Sequence, residues 1–243
     1  MTRQMTVLKT LILLIVIGAL FAGFLLFTTW GNELLVKMLP RPQHPTDRPY
    51  LVTQVTFPGG AEGVILAGEM TMPHEGGPFV AIVMITGSGP HDRDEELAGH
   101  KLFLVFADYM TRRGYAVLRY DDRGVAGSNG DFQTATTKDF GDDAAAALRW
   151  LSSQDNVDPD RIGYAGHSEG GYVAPLAAQV TRPAFMVLLA GPAENIADTL
   201  LRQAVEPPRA EGKDEAWISR NLAGQNEFVE IMRTTTSPEV ATA

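Results

Sequence analysis

The rhythm of hydrophobic positions changes along the chain, and each change predicts a different element. Thr10 through Thr29 carry no charged residue and read Leu-Ile-Leu-Leu-Ile-Val-Ile at their heart; about 20 such residues span a bilayer as a helix. The segment is longer than the apolar part of a secretory signal and offers no good cleavage site around Ala19 to Gly23, so residues 10–30 are expected to form one retained transmembrane helix. Arg3 and Lys9 before it and Trp30 at its far edge place residues 1–9 in the cytoplasm and the domain that follows outside it. Lys37, Arg41 and Arg48 blur that asymmetry. Pro40, Pro42, Pro45 and Pro49 make residues 31–49 an extended, proline-rich linker.

From Tyr50 onwards the pattern is that of a folded domain. Residues 51–57 and 64–72 are β-rich around Pro58-Gly59-Gly60, a hairpin signature. Phe79 to Ile85 is a continuous apolar run of strand length, Gly99 to Arg113 has helical periodicity, and Tyr115 to Tyr120 reads again as a buried strand. Lys138 to Ser153 is an alanine-rich helix with Asp142 and Asp143 in its first turns; Arg161 to Ala165, Glu169 to Val180 and Ala184 to Ala190 complete a strand, helix and strand series. Strands alternating with helices at this spacing predict a mostly parallel sheet with helices on both faces, over residues 50–193. Residues 194–243 are polar and helix-prone, with no strand pattern, and fit a partial cap lying over the sheet.

Composition narrows the functions open to such a domain. A 45% hydrophobic content supports a packed core, and a net charge of -9 without a basic stripe argues against nucleic acid as a partner. The absence of cysteine removes thiol catalysis, disulfides and thiolate zinc sites. No metal or organic cofactor is implied.

The chemistry is concentrated where strands end, which is where α/β sheets place their sites. Ile162-Gly163-Tyr164-Ala165 runs into Gly166-His167-Ser168-Glu169-Gly170, and a helix follows. A G-x-S-x-G segment between strand and helix puts the serine on a sharp turn, with Gly166 and Gly170 needed because side chains there would collide. Ser168 is therefore the candidate nucleophile. The Phe79–Ile85 strand ends in Thr86-Gly87-Ser88-Gly89-Pro90-His91, a turn able to aim N–H groups at a developing oxyanion; Ser88 and Glu169 are the expected donors. His91, beside Asp92, Arg93 and Asp94, reads better as part of a polar loop network than as a substrate ligand. Asp121, Asp122 and Arg123 at the next strand end are expected to be buried structural pairs that hold neighbouring loops. A glycosidase reading of the two acids fails because adjacent residues cannot flank a bond.

Three linked motifs, TGSGPHDRDE, LRYDDRGVAGSNGDF and RIGYAGHSEGG, taken together resemble the bacterial α/β-hydrolases related to dienelactone hydrolases and serine aminopeptidase-type esterases. The resemblance covers roughly Val52 to Ala190 and implies an eight-stranded sheet, Ser168 as nucleophile, oxyanion donors at Ser88 and Glu169, and a small-molecule acyl substrate. One local departure is Ala126, which precedes Gly127-Ser128 where relatives have Gly-x-Ser.

The same fold orders its triad as serine, then acid, then histidine. Here His44, His74, His91, His100 and His167 all precede Ser168. The expectation is a C-terminally incomplete α/β-hydrolase fold, preceded by one transmembrane helix and held on the extracytoplasmic face of a membrane through residues 10–29. It would cleave carboxylic esters or related acyl bonds through Ser168, in a truncated form lacking acid and base. The alternatives are a membrane-anchored, catalytically silent binding module, or an acyl-peptide hydrolase or thioesterase.

Overall fold

In the computed structural model, residues 43–234 are described. The expected anchor at residues 10–30, the N-terminus before it, most of the linker and the last nine positions (residues 235–243) lie outside them. Among the described residues no helix is long and apolar enough to cross a membrane.

Alternation of side chains across a strand decides how the sheet is covered. Strand β3 (Phe79–Ile85) sends Ala81, Val83 and Ile85 to one face and Ile82 and Met84 to the other, and all five are buried. The first face packs on helices α2 (Thr137–Ser152) and α3 (Gly170–Val180), through Ala144, Ala145, Leu148, Leu151, Val173 and Ala177. The second face packs on α1 (Leu102–Thr111) through Phe103 and Ala107. Small residues let α2 lie close to its neighbours: a Cβ on Gly141 would come within 3.0 Å of the Leu176 side chain.

The other strands are β1 (Leu51–Pro58), β2 (Ile65–Met72), β6 (Ala116–Tyr120), β7 (Val157–His167) and β8 (Phe185–Leu189), and the sheet order is β1-β2-β6-β3-β7-β8. Pairing is antiparallel for β1 with β2 and β2 with β6, and parallel for β6–β3, β3–β7 and β7–β8. The described residues thus build six of the eight strands that the motif resemblance implies. Strand β8 is the sheet edge among them, and Met186, Val187 and Leu188 on it are exposed.

One element begins later than its periodicity suggests. The helix expected from Gly99 starts at Leu102, because Glu96–Leu97 (β4) and His100–Lys101 (β5) form a small antiparallel ladder first. Ala98 and Gly99 have φ of 49° and 80°, the pair of left-handed residues that a two-residue hairpin turn requires. After Pro192 the chain is helical, as its composition suggests: α4 (Ile196–Gln203), α5 (Glu206–Ala210) and α6 (Glu215–Thr234). Pro207 and Pro208 fall in the first turn of α5, where a missing N–H costs nothing. The Tyr172 hydroxyl on α3 donates to the Glu194 carbonyl at 2.7 Å and lies 2.9 Å from the Thr199 hydroxyl, which fastens these helices to the core.

Residues 44–48 already lie against the core. The His44 ring accepts from the Lys101 N–H at 3.2 Å, Arg112 reaches the Asp47 carbonyl at 2.9 Å, and Arg48 pairs with Glu69. Glu69 in turn pairs with Arg119, a fully buried guanidinium on β6 that also pairs with Asp94. Charges on β2, β6 and the segment after β3 are thereby tied together beneath the loops at the carboxyl end of the sheet.

Helix α2 starts at a reciprocal cap: the Thr136 hydroxyl accepts from the Asp139 N–H at 3.3 Å, and the Thr136 N–H donates to the Asp139 carboxylate at 2.9 Å. Thr136→Ala is expected to lower unfolding free energy by about 1 kcal/mol, read as a lower urea midpoint with an unchanged slope; an unchanged midpoint would show that tertiary packing alone sets this helix start.

Candidate active site

Strand β7 ends at His167 and α3 begins at Gly170, so two residues make the turn between them. Ser168 occupies it with φ of 50°, a left-handed conformation that L-residues with a Cβ adopt at a cost of about 1–2 kcal/mol. Its neighbours enforce that conformation. A Cβ on Gly166 would lie 2.3 Å from the Gly170 carbonyl oxygen, and one on Gly170 would lie 2.6 Å from that of Ile85. Neither position has room for a Cβ. The Ser168 N–H donates to the Leu189 carbonyl at 2.9 Å, and the Ser168 carbonyl accepts from Gly171 at 2.8 Å. The turn is therefore wedged between the ends of β3 and β8.

The loop after β3 lies directly against it. A Cβ on Gly87 would be 3.1 Å from the Ser168 Cβ, so the two segments touch with no room for a side chain. The donors along this loop leave two groups over. Gly87 gives its N–H to the Glu95 carboxylate at 2.7 Å, His91 gives its N–H to Asp122 at 3.0 Å, and Pro90 has none. The Ser88 and Gly89 N–H groups find no acceptor among the described residues, and neither does the Glu169 N–H that follows Ser168. His91 closes the loop on itself: its Nε2 lies 2.9 Å from the Ser88 carbonyl oxygen. Thr86, Gly87, Gly89, Asp122, Phe132 and Glu169 line a cavity of about 20 Å³ beside these groups, room for about one water.

Asp121, Asp122 and Arg123 each hold a different loop. The Asp121 carboxylate accepts from the Arg93 N–H and guanidinium at 2.7 to 2.9 Å and from the Gly127 N–H at 3.0 Å. Asp122 accepts from the Thr86 hydroxyl at 2.7 Å and from His91, and so clasps both ends of the loop that carries Ser88. Arg123 grips α2 through Asp143 at 2.7 and 2.8 Å and through the Asp139 carbonyl at 3.0 Å. Ala126 takes φ of 46°, where glycine would be unstrained, and Gly127 beside it has no space for a Cβ, which would meet Ala67 at 2.9 Å. The departure from Gly-x-Ser thus costs strain on the order of 1 kcal/mol without displacing Ser128, whose hydroxyl donates to the Asp121 carbonyl at 2.8 Å.

Sequence reading passed over Glu95. It is fully buried, has φ of 46°, and its Oε1 lies 2.8 Å from Nδ1 of His167 while also accepting from Gly87; its Oε2 has no partner among the described residues. In sequence it belongs to an acidic run, Asp92, Asp94, Glu95 and Glu96, that reads as a solvated loop. Asp94 turns to the buried Arg119, and Glu95, in a left-handed conformation, turns to Gly87 and His167. Among the described residues no histidine hydrogen-bonds the Ser168 hydroxyl, His167 included.

The two adjacent aspartates titrate in opposite directions. Burial pushes the Asp122 carboxyl up to about 7, more than the Thr86 hydroxyl and His91 N–H pull it down. Burial also works against ionised Asp121, but the hydrogen bonds and charge of Arg93 outweigh it and hold that carboxyl below its ordinary range. Asp122 binds its proton more tightly folded than unfolded. Its stabilising contribution is full below about pH 4 and is lost as pH rises through about 7. The unfolding free energy of Asp122→Asn, measured by urea titration, is expected to rise relative to wild type by roughly 1.4 kcal/mol for each pH step of one between about 4 and 7, and to level off above that. A pH-independent difference between the two proteins contradicts this.

Comparison with known proteins places the geometry in a lineage. The family model described as X-Pro dipeptidyl-peptidase (S15 family) matches residues 62–228. Esterase EstD of Thermotoga maritima is 31% identical over 135 residues, 56% of this chain and 32% of that protein. Dipeptidyl aminopeptidase BIII of Pseudoxanthomonas mexicana is 29% identical over 155 residues, 62% of this chain and 21% of that protein. The chain spans about a third and a fifth of the length of these two relatives. Among solved structures, an esterase of Pyrococcus furiosus superposes with a TM-score of 0.54 at 22% identity, covering 78% of this chain and 65% of that one. A hypothetical protein of Pseudomonas aeruginosa superposes with a TM-score of 0.53 at 21% identity, covering 82% and 60%. These superpositions show an α/β-hydrolase fold, and with residues 62–228 matched, the chain belongs to the X-Pro dipeptidyl-peptidase family of serine hydrolases.

Proposed function

We propose that Ser168 is the nucleophile of an acyl hydrolase whose substrates are carboxylic esters. The observation that carries this reading is the left-handed Ser168, wedged between strand and helix beside two N–H groups, of Ser88 and Glu169, that have no acceptor among the described residues. In the reaction the Ser168 oxygen bonds to the acyl carbon while its proton passes to a base. The carbonyl oxygen takes the negative charge and accepts from both N–H groups. Collapse of this intermediate expels the alcohol, which takes the proton from the base and leaves an acyl-Ser168 ester. Water then repeats the sequence, releasing the acid and restoring the serine. The proton acceptor comes from outside the described residues. The start of α3 adds its helix dipole to the same side of the carbonyl.

A second reading, cleavage of a peptide bond after an X-Pro dipeptide, draws on the matching family model. Both readings use the same nucleophile. A fluorophosphonate probe is expected to label the full-length protein and to leave Ser168→Ala unlabelled, with p-nitrophenyl butyrate hydrolysis falling by a factor on the order of a thousand or more in that variant. Labelling that survives Ser168→Ala would remove Ser168 from the chemistry. Faster turnover of an X-Pro-p-nitroanilide than of the ester would move the substrate class to peptides.

The location follows from the apolar segment alone. With residues 10–29 as an uncleaved anchor, the domain would face the extracytoplasmic side. The full-length protein is expected in the membrane fraction after alkaline carbonate washing, and deletion of residues 1–30 is expected to release it; a full-length protein that washes off refutes the anchor.

A further inference from the structure

We infer that Glu95 is a positioning residue, whose buried carboxylate locks the loop bearing the Ser88 N–H to the turn bearing Ser168. The inference rests on the assignment of Ser168 as nucleophile. Three atoms converge on the space where Gly87 lacks a side chain: a Cβ there would lie 3.0 Å from Glu95 Oε1, 3.1 Å from the Ser168 Cβ and 3.5 Å from His167 Nδ1. The same carboxylate oxygen accepts from the Gly87 N–H at 2.7 Å and pairs with the His167 ring at 2.8 Å. One residue on each segment is thus held by a single oxygen atom. Each is the immediate chain neighbour of a group the chemistry needs: Gly87 precedes Ser88, and His167 precedes Ser168.

Stability alone is a poor account of this arrangement. A buried acceptor without a partner costs about 1–3 kcal/mol, and Oε2 of Glu95 is such an atom among the described residues. The chain also holds Glu95 in a left-handed conformation to deliver the carboxylate, pinning it through its own N–H to the Asp92 carbonyl at 3.0 Å. The adjacent Asp94 carbonyl accepts from Phe103 at 3.0 Å, so the delivery is braced on α1. Neither Glu95 nor His167 hydrogen-bonds the Ser168 hydroxyl among the described residues, which separates this role from that of a base. What the oxygen sets is the spacing between oxyanion donors and nucleophile, where an error of about 1 Å costs roughly 100-fold in rate.

Substitutions that keep or remove each hydrogen-bonding group test this against simple packing. In Glu95→Gln an amide oxygen can still accept from both partners, whereas Glu95→Met fills the space and accepts nothing. In His167→Asn the amide nitrogen replaces Nδ1 as a donor, whereas His167→Phe keeps only a ring. The reporter is the labelling rate of full-length protein by a fluorophosphonate, separated into the maximal rate and the half-saturating concentration, with thermal melting of each variant alongside. Glu95→Met and His167→Phe are expected to lose about 100-fold in maximal rate at a half-saturating concentration within about threefold of wild type. Glu95→Gln and His167→Asn are expected to stay within about tenfold of wild type. Wild-type labelling with an unchanged rate in Glu95→Met overturns the inference and leaves the nucleophile standing. If Glu95→Met does not fold, the histidine pair decides: equal rates in the Asn and Phe variants overturn it, and a faster Asn variant upholds it. If wild type itself is not labelled, Ser168 is not activated in this protein and the inference that Glu95 sets its reactivity is overturned, whereas the assignment of Ser168 is overturned by labelling that survives Ser168→Ala.

Discussion

The peptide backbone at Ser168 sits in a region that costs free energy, and the surrounding structure is organised so that it has no alternative. A left-handed serine relaxes unless contacts on both sides over-determine it. Here Gly166 and Gly170 let strand and helix approach until a single methyl group would collide. The carbonyls of Ile85 and Leu189 approach from the two neighbouring strands, one in contact with Gly170 and the other accepting the Ser168 N–H. Burial of β3 and β7 in the middle of the sheet makes those contacts rigid. The strain at one residue is thus held by the packing of the whole parallel sheet, and the core matters to the chemistry because it keeps that turn in place.

Buried carboxylates do a comparable job for the loops. Asp121, Asp122 and Glu95 are each almost wholly buried; both aspartates bond donors of irregular segments, and Glu95 does so through Oε1 alone, to the Gly87 N–H and to His167 at the end of β7. Their energetics differ. Asp121 has the Arg93 guanidinium as counter-charge, so ionisation is favoured and the pair is self-contained. Asp122 has only a hydroxyl and an N–H, so its clasp on Thr86 and His91 carries the cost of a poorly compensated charge. That asymmetry between adjacent residues arises from which loop each faces, since both leave the same strand end.

Much of this was legible in the chain because it is local. Strands β3, β6 and β8 follow apolar runs, β7 begins four residues before the expected Arg161, and the serine turn is a contiguous motif whose glycines have a steric reason. Asp121, Asp122 and Arg123 could be read as loop anchors from their place at a strand end, although their partners could not be named. The Ala98-Gly99 turn was hidden because alanine does not announce a left-handed conformation, and the helical periodicity of its neighbours ran across it. Glu95 was hidden for the same reason: its burial depends on backbone geometry rather than on composition. Pairing between Glu95 and His167 joins positions 72 residues apart, a contact that no periodicity carries.

The groups proposed for the chemistry share a further property. Ser168, the N–H groups of Ser88 and Glu169 and the residues that hold them lie at the ends of β3, β6 and β7, strands adjacent in the middle of the sheet, and the two proposed oxyanion donors are backbone groups that need no particular side chain. A general base has no such support: it must bring an imidazole or carboxylate to the hydroxyl from a separate loop. Among the described residues no histidine hydrogen-bonds the Ser168 hydroxyl. His167 is committed to Glu95, His91 lies against its own loop at the Ser88 carbonyl, and His44 accepts from Lys101 beside α1. Recruiting His167 would require breaking its contact with the carboxylate that aligns the site. The proposed base would therefore have to be brought to Ser168 by another segment, and the helices after Pro192 are fastened through Tyr172 to α3, the helix that follows the same turn.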